Sequence, residues 1–416
     1  MIDNDAVIFG ILILILGFVF YTSNLNNTIW KRFYTFFPVL LVCYFLPSLL
    51  NYLGLIDSSN SQLYFVASRY LLPCSLVLLT LSIDLKEISK LGSKALIMFF
   101  SGTIGILLGG PISILFVKYF FPTIVDIDLT DLADGMTTIA GSWIGGGANQ
   151  AAMMEVFQVD SKIFSKMVAV DIICANIWLA ILLIGVNRNK YIDDNILNAD
   201  SSSIVEIKDR IEAYNLSISK IPDLKDVIYI CSIGFGVTGF AHFFGNIFSS
   251  YIADNYPSLS SLSLTSSFFW LVIISTSIGV ILSFTRVREL EGSGASRVGS
   301  LFIYILVLTI GLKMDINSIF NDPGLFLIGF IWLGFHVIIL LITAKLIRAP
   351  FFFVAVGSQA NVGGAASAPV VASAFHPSLA AVGVLLAVFG YAVGTYAAWL
   401  CCLLYTSDAA DESDRV

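Results

Sequence analysis

Twelve apolar runs mark the chain, at roughly residues 6–23, 35–56, 64–83, 95–117, 133–157, 163–186, 226–248, 266–285, 298–314, 324–347, 350–375 and 378–404. A helix needs about 20 residues to cross some 30 Å of hydrocarbon, so runs of this length predict membrane helices. Only one long polar stretch interrupts the series, at 187–224, with Asp193-Asp194 and the mixed-charge sequence Glu206-Ile207-Lys208-Asp209-Arg210. It divides the chain into a first membrane repeat at 1–186 and a second at 225–404, joined by a linker expected on the cytoplasmic side. The first run follows Asp3 and Asp5 rather than a basic stretch, and no small-residue cleavage site closes it, which predicts a retained helix.

The two halves resemble each other. Leu79-Thr80-Leu81-Ser82-Ile83-Asp84-Leu85-Lys86 closes the third run and Leu308-Thr309-Ile310-Gly311-Leu312-Lys313-Met314-Asp315 closes the ninth. The fifth run holds Gly141-Ser142-Trp143-Ile144-Gly145-Gly146-Gly147-Ala148-Asn149-Gln150, and the eleventh holds Gly357-Ser358-Gln359-Ala360-Asn361-Val362-Gly363-Gly364-Ala365-Ala366-Ser367. Matching glycine-rich polar passages at matching positions predict an internal duplication. If runs five and eleven each enter and leave by one face, the strongly basic loops fall on one side: Lys31 and Arg32; Lys86, Lys90 and Lys94; Arg188 through Lys225; Arg286, Arg288 and Arg297; Lys345 and Arg348. That arrangement predicts an all-α polytopic fold with about ten crossings, two re-entrant elements, an outside amino terminus and inverted halves. Broken helices that span fully, with one weak crossing miscounted elsewhere, also give inverted halves.

Composition supports lipid as the solvent: 57% of residues are hydrophobic and 12% charged, against about twice that charge in a soluble domain. The net charge of −7 gives no basic patch for nucleic acid, and none is expected as a partner. Cys43, Cys74, Cys174, Cys231, Cys401 and Cys402 show no metal-ligand spacing and read as small hydrophobes. Gly145-Gly146-Gly147 is not followed by Lys-Ser/Thr, and the breaks contain neither a nucleophile elbow nor a His-Glu-x-x-His pair, so no enzymatic activity is expected. After Leu404 the chain turns abruptly polar, and 405–416 is expected to be a non-native tail.

Unpaired backbone groups at membrane depth need protein, water or a bound solute, so the glycine passages are the candidate site. Pure packing would be satisfied by glycine and alanine. These passages add Ser142, Asn149 and Gln150 around Gly145, Gly146 and Gly147, and Ser358, Gln359, Asn361 and Ser367 around Gly363 and Gly364. Their neutral oxygens and donors suit a partly dehydrated cation or a polar solute, and a sodium site is expected near Asn149, Gln150, Gln359 and Asn361. Asp171, inside the sixth run, reads either as a cation ligand or proton carrier, or as a helix-end residue at the interface; Glu155, beyond the first break, faces either the pathway or the headgroups. Asp126, Asp128, Asp131 and Asp134 read as a solvated rim. His242, His336 and His376 show no ligand spacing and are expected in structural roles, while Thr395 in the last run is placed to bond a neighbouring helix.

From the first run through residues 145–150 and 360–366, the chain resembles the bacterial DUF819 (YjcL-like) membrane proteins, and more distantly the grouping of sodium/glutamate symporters, bile-acid/sodium symporters and cation/proton antiporters. The resemblance implies a scaffold domain and a core domain with two broken elements crossing near the midplane, the first carrying Gly145, Gly146, Gly147 and Asn149, the second Asn361, Gly363 and Gly364. It further implies secondary active transport by alternating access: a small polar or anionic solute, coupled to sodium through neutral oxygens or to protons through Asp171 or Glu155. A channel or passive permease and a cation/proton antiporter are the alternatives; no adjacent aspartate pair marks a middle span as in many sodium/proton antiporters. The expected setting is a bacterial plasma membrane, the inner membrane in a Gram-negative cell, with lipids, a small solute and a second copy of the chain as partners. No cofactor is expected beyond the coupling sodium or proton.

Overall fold

The computed structural model describes residues 2–37, 39–58, 60–84, 88–89, 91–125, 127–199, 222–262, 264–314, 322–376 and 379–413. Lys86, Lys90, Asp126, Glu206 through Arg210, Asp315 and the last three residues lie outside these, as do the side chains of 405–413. The main helices are α1 (Asp5–Ser23), α2 (Thr28–Phe36), α3 (Val39–Tyr52), α4 (Leu63–Leu81), α5 (Ser93–Phe120), α6 (Leu129–Val156), α7 (Ser161–Val186), α8 (Leu224–Asn255), α9 (Ser267–Ser283), α10 (Ala295–Gly311), α11 (Pro323–Ile347), α12 (Phe351–Val362), α13 (Gly364–Phe375) and α14 (Ala380–Ser413). Among the described residues, seven spans are long and apolar enough to cross a membrane, or nine if two bent pairs each count as one span: Thr28–Tyr34 with α3, and α9 with Arg286–Ser293. α10 and α12 are shorter apolar helices, and α6 is not among the seven.

Helix starts follow sequence chemistry. Asp128 accepts from the Thr130 amide at 3.0 Å ahead of α6, Asp160 accepts from Lys162 at 2.8 Å ahead of α7, and Asp223 with Asp226 forms a capping box on α8; each serves an otherwise orphaned N–H. α8 shows which solvent the outer surface expects. Gly234, Thr238, Ala241, Gly245 and Ser249 lie buried, whereas Phe240 and Phe243 are 49% and 63% exposed. An amphipathic helix in water would bury the phenylalanines instead; small residues inward and large apolar ones outward belong in lipid. The chain is a multi-pass, all-α membrane protein.

The helices sort into two groups, each drawing on both halves of the sequence. α1, α3 and α4 pack with α8, α9 and α10; α5, α6 and α7 pack with α11, α12, α13 and α14. The first group is termed the scaffold and the second the core. Within the scaffold, α3 lies on α10 and α9 lies on α4. Ser48 and Asn51 donate to the carbonyls of Met314 and Leu312, just past α10, at 3.0 and 2.8 Å. Just past α4, Ser82 donates to Glu291 at 2.5 Å and Asp84 pairs with Arg288, both partners lying in the segment after α9. In the core, α5 approaches α11 so closely that a Cβ on Gly105 would sit 2.9 Å from the His336 Cα. Pro111 within α5 cannot donate to the Leu107 carbonyl, and the Cys401 thiol lies 3.5 Å from that oxygen.

Candidate functional site

Two helix breaks meet in the core. Gly146 interrupts α6 with φ 74° and ψ −175°, and Gly363-Gly364 separates α12 from α13, with Gly364 at φ +56°. Positive-φ backbone costs a residue with a Cβ about 1–3 kcal/mol, and the extended positive-φ region that Gly146 occupies is essentially restricted to glycine, which explains glycine at both positions. A Cβ built on Gly364 would lie 3.7 Å from the Gly146 Cα. The backbones of two elements far apart in sequence therefore approach at their broken points.

Asp171 of α7 fastens the first break. Its Oδ2 accepts from the Ser142 hydroxyl at 2.7 Å and the Gln150 amide at 3.0 Å, and its Oδ1 accepts from the Trp143 indole at 2.7 Å. Ser142 and Trp143 precede Gly146 while Gln150 follows it, so one buried carboxylate ties both arms of α6 to α7. Three donors satisfy a charge that would otherwise be costly at this depth.

Two asparagines make a recurring clamp. The Asn149 amide nitrogen donates to Gly145 O at 2.9 Å and Tyr391 O at 3.0 Å, and its oxygen accepts from the Thr395 hydroxyl at 2.5 Å. The Asn361 amide donates to Gly357 O at 2.9 Å and Phe99 O at 3.0 Å, and accepts from Thr103 at 2.8 Å. In each case the partner helix offers a carbonyl and a threonine four residues later. Asn149 follows its break and binds α14; Asn361 precedes its break and binds α5. Each asparagine thus joins the two sequence halves.

A directed hydrogen-bond chain holds α12. His336 Nδ1 lies 2.9 Å from Gly102 O and must donate there, leaving Nε2 of the neutral ring to accept from the Ser358 hydroxyl at 2.7 Å. Ser358 accepts in turn from the Trp178 indole at 2.7 Å. Gln359 is different: its amide donates to Ser367 across the second break at 2.7 Å, while its buried Oε1 has no hydrogen-bond partner among the described residues. An unserved buried acceptor costs about 1–3 kcal/mol.

Gln359 lines a cavity of about 350 Å³ at the crossing, with Ser142, Gly146, Gly147, Asp171, Asn176, Gly363, Gly364, Ser367 and Tyr391 on the core side and Leu79, Ser300 and Tyr304 on the scaffold side. Among the described residues, Asp171 is the one charged group on this wall. Of the residues singled out from sequence, Ser142, Gly146, Gly147, Asp171, Gln359, Gly363, Gly364 and Ser367 are brought to the cavity. Gly145, Asn149, Gln150, Ser358 and Asn361 stand behind the wall as its framework. Glu155 lies elsewhere, against Tyr64 and Arg69. Trp143, Thr103 and Tyr391 were not legible as site residues: an indole or threonine in an apolar run carries no signal until its partner is placed.

The family described as "Protein of unknown function (DUF819)" matches residues 10–407. The chain is also similar to the protein described as "Uncharacterized membrane protein YjcL" of Bacillus subtilis (strain 168), with 26% identity over 350 residues, covering 81% of this chain and 82% of that one.

Proposed function

Because this chain belongs to the DUF819 family of membrane proteins, whose description names no activity, the crossing must carry the functional reading, and from it we propose a secondary active transporter in a bacterial plasma membrane. The carrying observation is the meeting of the Gly146 and Gly364 breaks at a cavity lined by Asp171 and by Gln359, whose buried Oε1 is unserved among the described residues. Such a wall takes a cation: sodium would gain Gln359 Oε1 and neighbouring hydroxyl oxygens, and a proton would be taken by Asp171. A small polar or anionic solute enters with it, its charge offset by the coupling ion. No catalytic step is needed.

Alternating access follows from the two helix groups. The cavity lies between scaffold and core, so displacement of one against the other would open it to either face. The pairing of α3 with α10 and of α9 with α4, together with reciprocal bonding at the ends of α10 and α4, supports inverted halves with ten crossings, the broken elements belonging to the core. Purified protein in liposomes tests the reading: an imposed sodium or proton gradient should drive uptake of a small polar solute against its own gradient. Asp171→Asn and Gln359→Leu should lose that coupling. Purely downhill flux at channel rates, or coupling unchanged in both variants, rejects the carrier.

A further inference from the structure

A second cavity, of about 480 Å³, lies at the C-terminal end of α6, again between core and scaffold, and none of its lining residues belongs to the crossing. Here Glu155, on the far arm of α6, accepts from the Tyr64 hydroxyl and pairs with Arg69 at 2.9 Å. Arg69 lies over the Phe268 ring, 4.3 Å from its centroid. The guanidinium is thus held by the aromatic face and by one carboxylate, yet its Nη1 is buried with no hydrogen-bond partner among the described residues. Lys313 enters the same cavity over the Tyr64 ring, 4.0 Å from its centroid. Two cations and one carboxylate therefore share a polar pocket, and the ion pair that joins core to scaffold there runs through the arginine with the unused donor.

We propose that this cavity binds the carboxylate group of a small solute, which takes the unserved Nη1 of Arg69 and the Lys313 ammonium and competes with Glu155 for the guanidinium. The fit is chemical: an arginine fork presents paired donors matching two carboxylate oxygens, and a bound monoanion balances the second cation. Occupancy loosens the link from α6 to α4, so the Arg69–Glu155 pair is a latch between the two helix groups that an anion can open. Binding here is independent of the carrier reading, since neither Asp171 nor Gln359 takes part.

The test uses the whole purified protein in detergent, titrated with sodium acetate, sodium L-glutamate and disodium succinate against sodium chloride at equal ionic strength, read by thermal shift and calorimetry. At least one carboxylate should stabilise the protein saturably where chloride does not. Arg69→Lys, which keeps the charge and loses the fork, should weaken that binding roughly tenfold. Glu155→Gln, which removes the competing charge and leaves Tyr64 an acceptor, should tighten it about three- to tenfold. No saturable binding of any of the three by the wild-type protein overturns the proposal, as does unchanged affinity in Glu155→Gln. Repeating the titration in phosphatidylcholine and phosphatidylglycerol nanodiscs separates the source of the anion: carboxylate binding abolished only by the anionic lipid assigns the pocket to a lipid phosphate and overturns the small-solute assignment. Because the readout is binding alone, a failure of coupled transport leaves this result standing, and the reverse holds too.

Discussion

The Nε2 of His242 lies 2.8 Å from the carbonyl oxygen of Arg69. That oxygen belongs to the residue four before Pro73, whose ring nitrogen carries no hydrogen to give back. The backbone from Ala67 to Leu71 is wound as a π-turn, and the imidazole of α8 donates where the proline cannot. His242→Ala should therefore destabilise the protein by about 1 kcal/mol. In a Pro73→Ala background the same change should cost measurably less, because alanine at that position can offer an amide. Thermal unfolding of the wild type and the three variants in one detergent gives the cycle; equal costs in both backgrounds would show that the histidine does not stand in for the missing donor.

Asp171 leads to a sharper contrast. The Trp143 indole can only donate, and Gln150 donates through its amide nitrogen in the present arrangement, so that arrangement needs an acceptor at both carboxylate oxygens. An asparagine in its place would turn an NH₂ toward one of those donors. Asp171→Asn should cost about 2–4 kcal/mol, and Asp171→Asn with Gln150→Glu should recover part of it by pairing the new amide with an acceptor. Stability unchanged by the single substitution would remove Asp171 from its place as fastener of the two α6 arms.

Positions 146 and 364 are glycine because of backbone conformation, whereas Gly394 is glycine because of space. A Cβ at 394 would lie 2.5 Å from the Gly145 Cα, with no flexible side chain to yield. Gly364→Ala should cost about 1–2 kcal/mol and Gly146→Ala about 2–3 kcal/mol, and both should leave folded protein. Gly394→Ala should lower the midpoint of thermal unfolding more than either, by forcing α14 away from the broken arm of α6. The reverse order would mean that the helices part easily at this contact.

Much of this arrangement is legible in the amino-acid sequence, and the limit has a physical basis. The breaks showed because three successive glycines in an apolar run oppose helix propensity, and Asp171 showed because a carboxylate at that depth needs a reason. What the pattern could not show was direction. Asn149 and Asn361 have the same chemistry as Gln359, yet the first two spend their amide groups on α14 and α5 while the Gln359 oxygen stays buried with no partner among the described residues. Which amide is fully paired and which keeps an unserved oxygen is decided by long-range packing. The count of spans was limited for a related reason: α10 has 17 residues and the bent pairs turn by 86° and 95°, so apolar length along the sequence does not translate directly into depth crossed.

Asp193, in the polar segment after α7, supplies the pH dependence. Its Oδ1 accepts from the Phe351 amide at 2.7 Å at the start of α12. Burial raises its pKa, the Phe351 hydrogen bond opposes that rise, and the neighbouring Asp194 charge adds to it. A carboxyl whose folded pKa lies above its unfolded value binds its proton more tightly in the fold. Its contribution to stability is fully present below the unfolded pKa and is lost as pH rises through the folded pKa, so at neutral pH the ionised group is a net burden. Asp193→Asn keeps an oxygen for Phe351 and removes the charge. The variant should equal the wild type in acid, gain on it through the window between the ordinary carboxylate value and the raised one, and hold a constant advantage at neutral pH. Unfolding midpoints of the two proteins measured across that range decide it: a variant that loses stability at neutral pH would mean that the charge on Asp193 strengthens its hold on α12 by more than its burial costs.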